Sequence, residues 1–281
     1  MHALKLLLVS CLVALLAAGC GGSSSPSPSN TYATNAIYAF MKAVQDESGN
    51  VTTTVQLRDG VAPTAQYLYL AGADVLYTSL DEPPKNFMNF SGNLFSNSLI
   101  LSQRLKVASS RNLFNDYILF TKIVTGKPEY FSIDTPVAGS SPVRAYVDLE
   151  RAGHVFTGES FVDLPLAFSI TAPASAASVQ RSANLVLSWT NVDATTTMKL
   201  DVAGICDDGS RYNLSHVIGT DTGSATLNST DYFPATGTSP STNCRVAFML
   251  QRVRTSGISP NFALGTFEGV QQRAIQFTTI P

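Results

Sequence analysis

The sequence predicts an all-β chain of two tandem antiparallel β-sandwich domains. Three observations carry that expectation: apolar residues recur with period two, helical spacing is nearly absent, and Gly-bearing turns fall between short runs. Val143, Ala145, Val147 and Leu149 alternate with Arg144, Tyr146 and Asp148, as in a strand with one face buried. Leu185, Leu187 and Trp189 repeat the pattern, as do Met198, Leu200 and Val202, then Val246, Phe248 and Leu250. Ile275 and Phe277 close it. Tyr117 to Val124 is apolar on both faces and reads as a central or covered strand. Asp59-Gly60, Asp208-Gly209, Thr222-Gly223 and Ser256-Gly257 supply the turn chemistry between runs. Ile37, Ala39, Phe40, Met41 and Val44 also fit a short helix, but the Ser48-Gly49-Asn50 turn and the following Val51–Leu57 run favour a hairpin.

The chain divides into four parts. Residues 1–19 form a signal peptide, 20–30 a tether, 31–166 a first sandwich-like domain and 167–281 a second. The first part has one early charge, Lys5, then an uncharged run from Leu6 to Ala18. That run is shorter than the ~20 apolar residues a spanning helix needs, which marks a secretory signal removed on export. Ala17-Ala18-Gly19-Cys20 resembles the bacterial lipobox, with Ala17 where Leu is usual and Leu16 one place earlier. The resemblance implies cleavage before Cys20, a diacylglycerol on its sulfur and, with Gly21 rather than Asp next, residence at the outer membrane. Two or three acyl chains at ~0.8 kcal/mol per buried CH₂ would hold such a protein permanently. Gly21 to Asn30, GGSSSPSPSN, offers no apolar residue to a core and reads as a flexible spacer.

Composition narrows the function classes. Charged residues are 14% of the chain, below the ~25% of ordinary soluble proteins. With 18 basic and 20 acidic side chains, a net charge of −2 and no basic cluster, nucleic acid is not an expected partner. Four cysteines sort by position: Cys11 leaves with the signal, Cys20 takes the lipid, and Cys206 and Cys244 remain as a pair. Outside the cytoplasm that pair reads as a disulfide, worth ~4 kcal/mol for a loop of about 39 residues.

The joint between domains is placed near Leu164–Pro173, where Pro165 and Pro173 bracket a strand-like segment. The following stretch, SITAPASAASVQRSANLVLSWTNV, resembles the opening of a fibronectin type III-like domain of the immunoglobulin-like class, with a proline-bearing first strand and a tryptophan ending the second. It implies a sandwich of roughly seven strands and ~100 residues. Both cysteines follow Trp189, so the disulfide joins other strands or loops than in antibody domains.

Chemistry-bearing motifs are sparse. Gly158-Glu159-Ser160 lacks the second glycine of a nucleophile elbow, and His154, Ser160 and Asp163 make a triad by composition only. Asp207, Asp208 and Asp221 could offer oxygens to calcium, but no cation-loop motif surrounds them. No catalytic residue, metal or cofactor is assigned. The sharper candidate is aromatic: Phe87, Phe90 and Phe95 lie among asparagines, after Tyr67, Tyr69 and Tyr77. Rings and amides on sandwich loops suit recognition of a glycan or an envelope protein. The expected role is therefore non-catalytic binding or assembly at the membrane, with an enzyme accessory, a weakly marked hydrolase and a structural spacer as alternatives.

Overall fold

A computed structural model describes residues 25–62, 64–81, 117–118, 120–124, 127–136, 142–153, 155–234 and 242–281. Among them the regular structure is nearly all strand. In chain order the strands begin with β1 Ser27–Pro28, β2 Tyr38–Gln45, β3 Val51–Arg58, β4 Tyr67–Tyr69, β5 Val75–Leu80 and β6 Tyr117–Ile118. Next come β7 Phe120–Val124, β8 Lys127–Asp134, β9 Arg144–Arg151, β10 Val155–Phe156, β11 Ser160–Asp163 and β12 Ile170–Ala172. The rest are β13 Ser178–Gln180, β14 Leu185–Trp189, β15 Thr197–Cys206, β16 Arg211–Thr220, β17 Ser224–Leu227, β18 Cys244–Ser256 and β19 Leu264–Ile280. One α-helical turn, α1, spans Ser229–Tyr232, and two short 3-10 turns span Ser29–Thr31 and Thr34–Ala36.

The strands form three sheets. An 11-stranded sheet runs β1-β4-β3-β2-β19-β18-β15-β16, with β8 and β7 beside β3 and β13 beside β19. A 5-stranded sheet (β10-β9-β5-β6, with β11 on β9) packs on one end of its inner face, and a 3-stranded sheet (β12-β14-β17) on the other. Two cores result. The first joins Ala39, Met41, Val55 and Leu68 to Leu76, Val147 and Leu149. The second joins Leu187 and Trp189 to Leu200, Phe248 and Phe277. In the second lobe, β12-β14-β17 faces β19-β18-β15-β16, a three-on-four sandwich of the immunoglobulin-like kind. The Cys206–Cys244 disulfide lies between directly paired residues of β15 and β18.

The lobes are not separate beads. β18 and β19 pair over Cys244–Ser256 and Phe267–Thr279, and their hairpin outgrows the second lobe. The first part of β19 then pairs in parallel with β2, Leu264 against Tyr38 through Gln271 against Gln45. Phe262 and Phe267, which lie within 167–281, are consequently buried in the first core. Gly265 permits this approach: a Cβ there would overlap the backbone of Ala39.

The joint is fastened by buried charge. Leu164 belongs to the first core and Phe168 to the second. Arg252, fully buried, donates from Nη1 to the Leu166 carbonyl at 2.7 Å and pairs through Nη2 with Asp221 Oδ2 at 2.7 Å. Asp221 also accepts from Trp189 Nε1 at 2.6 Å and from the Asp193 amide at 2.9 Å, so its carboxylate is satisfied, while Arg252 Nε finds no partner among the described residues. Arg273 Nε holds the Phe168 carbonyl at 2.8 Å, and the guanidinium groups of Arg252 and Arg273 both lie against the Phe168 ring.

Candidate functional site

Of the sequence-selected aromatics, Tyr67 and Tyr69 lie in the described structure, while Phe87, Phe90 and Phe95 fall outside the described residues. On β4 the intervening Leu68 is buried in the first core, so strand alternation turns Tyr67 and Tyr69 to the outer face of the large sheet. Register then assembles a row across four strands. Tyr67 pairs with Arg58, Arg58 with Tyr38, and Tyr38 with Leu264. Phe40 lies in the next row out, between Gln56 and Thr266. The rings are half-buried, and Leu264 is 59% exposed.

Arg58 organises this face. Its guanidinium carbon lies 4.6 Å from the Tyr67 ring centroid and 4.9 Å from that of Phe40. Nη2 donates to Tyr67 Oη at 3.0 Å and to Gln56 Oε1 at 2.9 Å, and Gln56 in turn donates to Glu129 at 3.0 Å. Each cation–π contact at such a site contributes ~0.5–1 kcal/mol and ties the two rings to the one guanidinium. Among the described residues no carboxylate pairs with Arg58. Rings, one uncompensated cation and an amide together suit an amphipathic ligand that carries negative charge. Sequence reading missed Arg58, Tyr38, Phe40 and Leu264 as members. Alternation of Tyr38, Phe40 and Lys42 was a usable signal for β2; nothing local pointed to Leu264.

The chain enters the body beside this platform. Gln66 Nε2 donates to the Ser25 carbonyl, and β1 pairs in parallel with β4, Ser27 against Leu68 and Pro28 against Tyr69. Ser29 is fully buried; its Oγ donates to Asp74 Oδ2 at 2.7 Å and accepts from the Ala71 amide at 3.2 Å. Arg151 completes a clasp. Nε pairs with Asp74 Oδ1 at 2.9 Å, and Nη2 donates to the carbonyls of Ser29 at 3.2 Å and Tyr32 at 2.9 Å. Asn30 packs at Gly72, whose φ of +67° and lack of a Cβ leave it room. The expected flexible spacer therefore does not extend to Asn30; residues 27–30 belong to the folded body. Hydrogen bonds and a buried ion pair, rather than apolar burial, hold them, and a search for apolar residues could not see that.

The remaining candidates are dispersed. Cys20 and His154 fall outside the described residues. Ser160 Oγ is buried and accepts from the Ser259 amide at 3.0 Å, and Asp163 is held bidentately by Arg144 at 2.6 and 3.0 Å. Asp208 caps its own turn through Ser210, at 2.9 Å to the amide and 2.6 Å to the hydroxyl, while Asp221 is committed to Arg252. No group of three or more His, Cys, Asp or Glu that could hold a metal occurs among the described residues. Two buried carboxylates lie on β9. Burial pushes the Asp148 carboxyl up to about 6, against the donation it receives from Thr157 Oγ1 at 3.0 Å. Glu150 accepts from Tyr77 Oη at 2.6 Å.

No family model and no curated protein matches the chain. Among solved structures it is similar to a tetra-tandem repeat from the extending region of a large adhesion protein, at 9% identity and a TM-score of 0.20. The match covers 84% of this chain and 49% of that one, so the chain spans about half the length of the structure it matches.

Proposed function

We propose that this is a lipid-anchored, non-catalytic protein of the bacterial envelope, held by Cys20 at the outer membrane, whose rigid β body serves binding or assembly. The observation that carries the reading is the clasp at Ser29, Asp74 and Arg151. It receives the chain nine residues after the lipobox-like cysteine and ties that entry to both layers of the first lobe. A body meant to be held by its N-terminus needs such a junction, because a frayed entry would let the tether peel strand from strand. The aromatic–guanidinium platform beside the entry supports a binding role. Engagement of Ser160 and Asp163 in separate contacts supports the non-catalytic part.

Labelled palmitate supplied to expressing cells tests the anchor. The reading expects label in the wild-type chain, none in Cys20→Ala, and wild-type protein in the outer-membrane fraction of a sucrose gradient. An unlabelled wild-type chain in the soluble fraction would overturn it.

A further inference from the structure

We infer that the platform formed by Tyr38, Phe40, Arg58, Tyr67 and Leu264 docks on the phospholipid headgroup layer to which the chain is tethered. The inference rests on the Cys20 anchor proposed above and adds an orientation and a ligand to it. Its basis is the length of chain between anchor and body. The Ser25 carbonyl is already held by Gln66, the neighbour of Tyr67. Four residues separate Cys20 from Ser25, and the five steps at ~3.5 Å each reach at most about 17 Å. The platform is thus confined close to the lipid surface, and confinement of this kind raises effective concentration toward the millimolar range without any added contact.

Chemistry agrees with place. Tyrosine rings and arginine partition to the bilayer interface, where the ring body meets acyl chain ends and the polar tips meet headgroups. Arg58 has no carboxylate partner among the described residues, so a lipid phosphate can complete it. Leu264, at 59% exposed, adds apolar surface at the end of the row. Lys42 follows Phe40 on the same face of β2. Of the acidic groups nearby, Glu268 pairs with Lys199, while Glu129 accepts from Gln56 and Asp59 from the Gln66 amide at 2.7 Å, and these two keep their charge.

The test uses the full lipidated chain in vesicles of phosphatidylethanolamine and phosphatidylglycerol, with a nitroxide on a fraction of the headgroups. A fluorophore is attached at Thr266→Cys, exposed beside Phe40, or at Asn213→Cys, exposed on β16 at the far end of the sheet. Docking predicts at least twofold stronger quenching at 266 than at 213. It also predicts that Arg58→Gln with Tyr67→Ser brings 266 down to the 213 level while palmitate content stays unchanged. Leu264→Asn, a surface change, should lower the quenching in the same direction and keeps the test open if the double variant does not fold. Equal weak quenching at both positions in protein that carries palmitate would overturn docking and leave the anchor standing. A 266 signal that responds to soluble peptidoglycan fragments instead would assign the face to a glycan and likewise overturn it. Absence of palmitate would fail the anchor itself.

Discussion

Phe267 gives the sharpest test of how the lobes are joined. It lies on β19 yet is fully buried in the first core. Phe267→Ala removes ring volume of roughly 100 Å³, and at ~24 cal/mol per Å³ an unrelaxed cavity costs about 2.4 kcal/mol. Lost transfer free energy adds ~1.5–2 kcal/mol, so the expected destabilisation is about 4 kcal/mol. The chain has one tryptophan, Trp189, and it belongs to the second core. Urea unfolding followed by Trp189 fluorescence therefore reports on the lobe that was not mutated. Because β18 and β19 run through both sheets' packing, the lobes should unfold together. With an m-value of ~3 kcal/mol/M, the Trp189 midpoint should fall by about 1.3 M, in step with far-ultraviolet circular dichroism. An unchanged Trp189 curve beside an early dichroism transition would show two independent beads and refute the stitched-hairpin reasoning.

Two further outcomes follow from buried charge. The folded-state value of Asp148, about 6, lies above its unfolded value near 3.8, so the folded chain holds this proton longer. Stability should fall as pH rises from about 4 to 6, by up to ~2–3 kcal/mol, and level off above. Asp148→Asn, which can still accept from Thr157, should flatten that slope in melts taken at successive pH values; an unaltered slope would assign it to other groups. Arg252→Ala leaves the Asp221 carboxylate buried and frees the Leu166 carbonyl. It should cost ~3–5 kcal/mol, whereas Arg252→Met with Asp221→Asn should recover part of the loss; equal loss in both would show that packing, not charge, governs the joint.

Much of the fold was legible because strand period is a local property. Tyr38–Gln45 and Val51–Arg58 form the hairpin that alternation and the Ser48-Gly49-Asn50 turn imply. Cys206 and Cys244 pair, as expected of the two cysteines left outside the first twenty residues. Within the proline-bracketed segment, Leu164 lies in the first core and Phe168 in the second. Tyr117–Val124 was less faithful: it splits between β6 and β7, which belong to different sheets. Of the aromatic face, sequence reading chose Tyr67 and Tyr69 and missed the arginine that joins their row.

What the sequence determined by itself was which residues turn inward, since a two-residue period follows from backbone geometry alone. Which strand lies beside which was decided only in three dimensions. Leu264–Gln271 and Tyr38–Gln45 are separated by more than two hundred residues, and their alternation would look the same against any neighbour. The Ser29–Asp74–Arg151 clasp was equally invisible, because hydrogen bonds and ion pairs leave no periodic trace until folding brings their partners together.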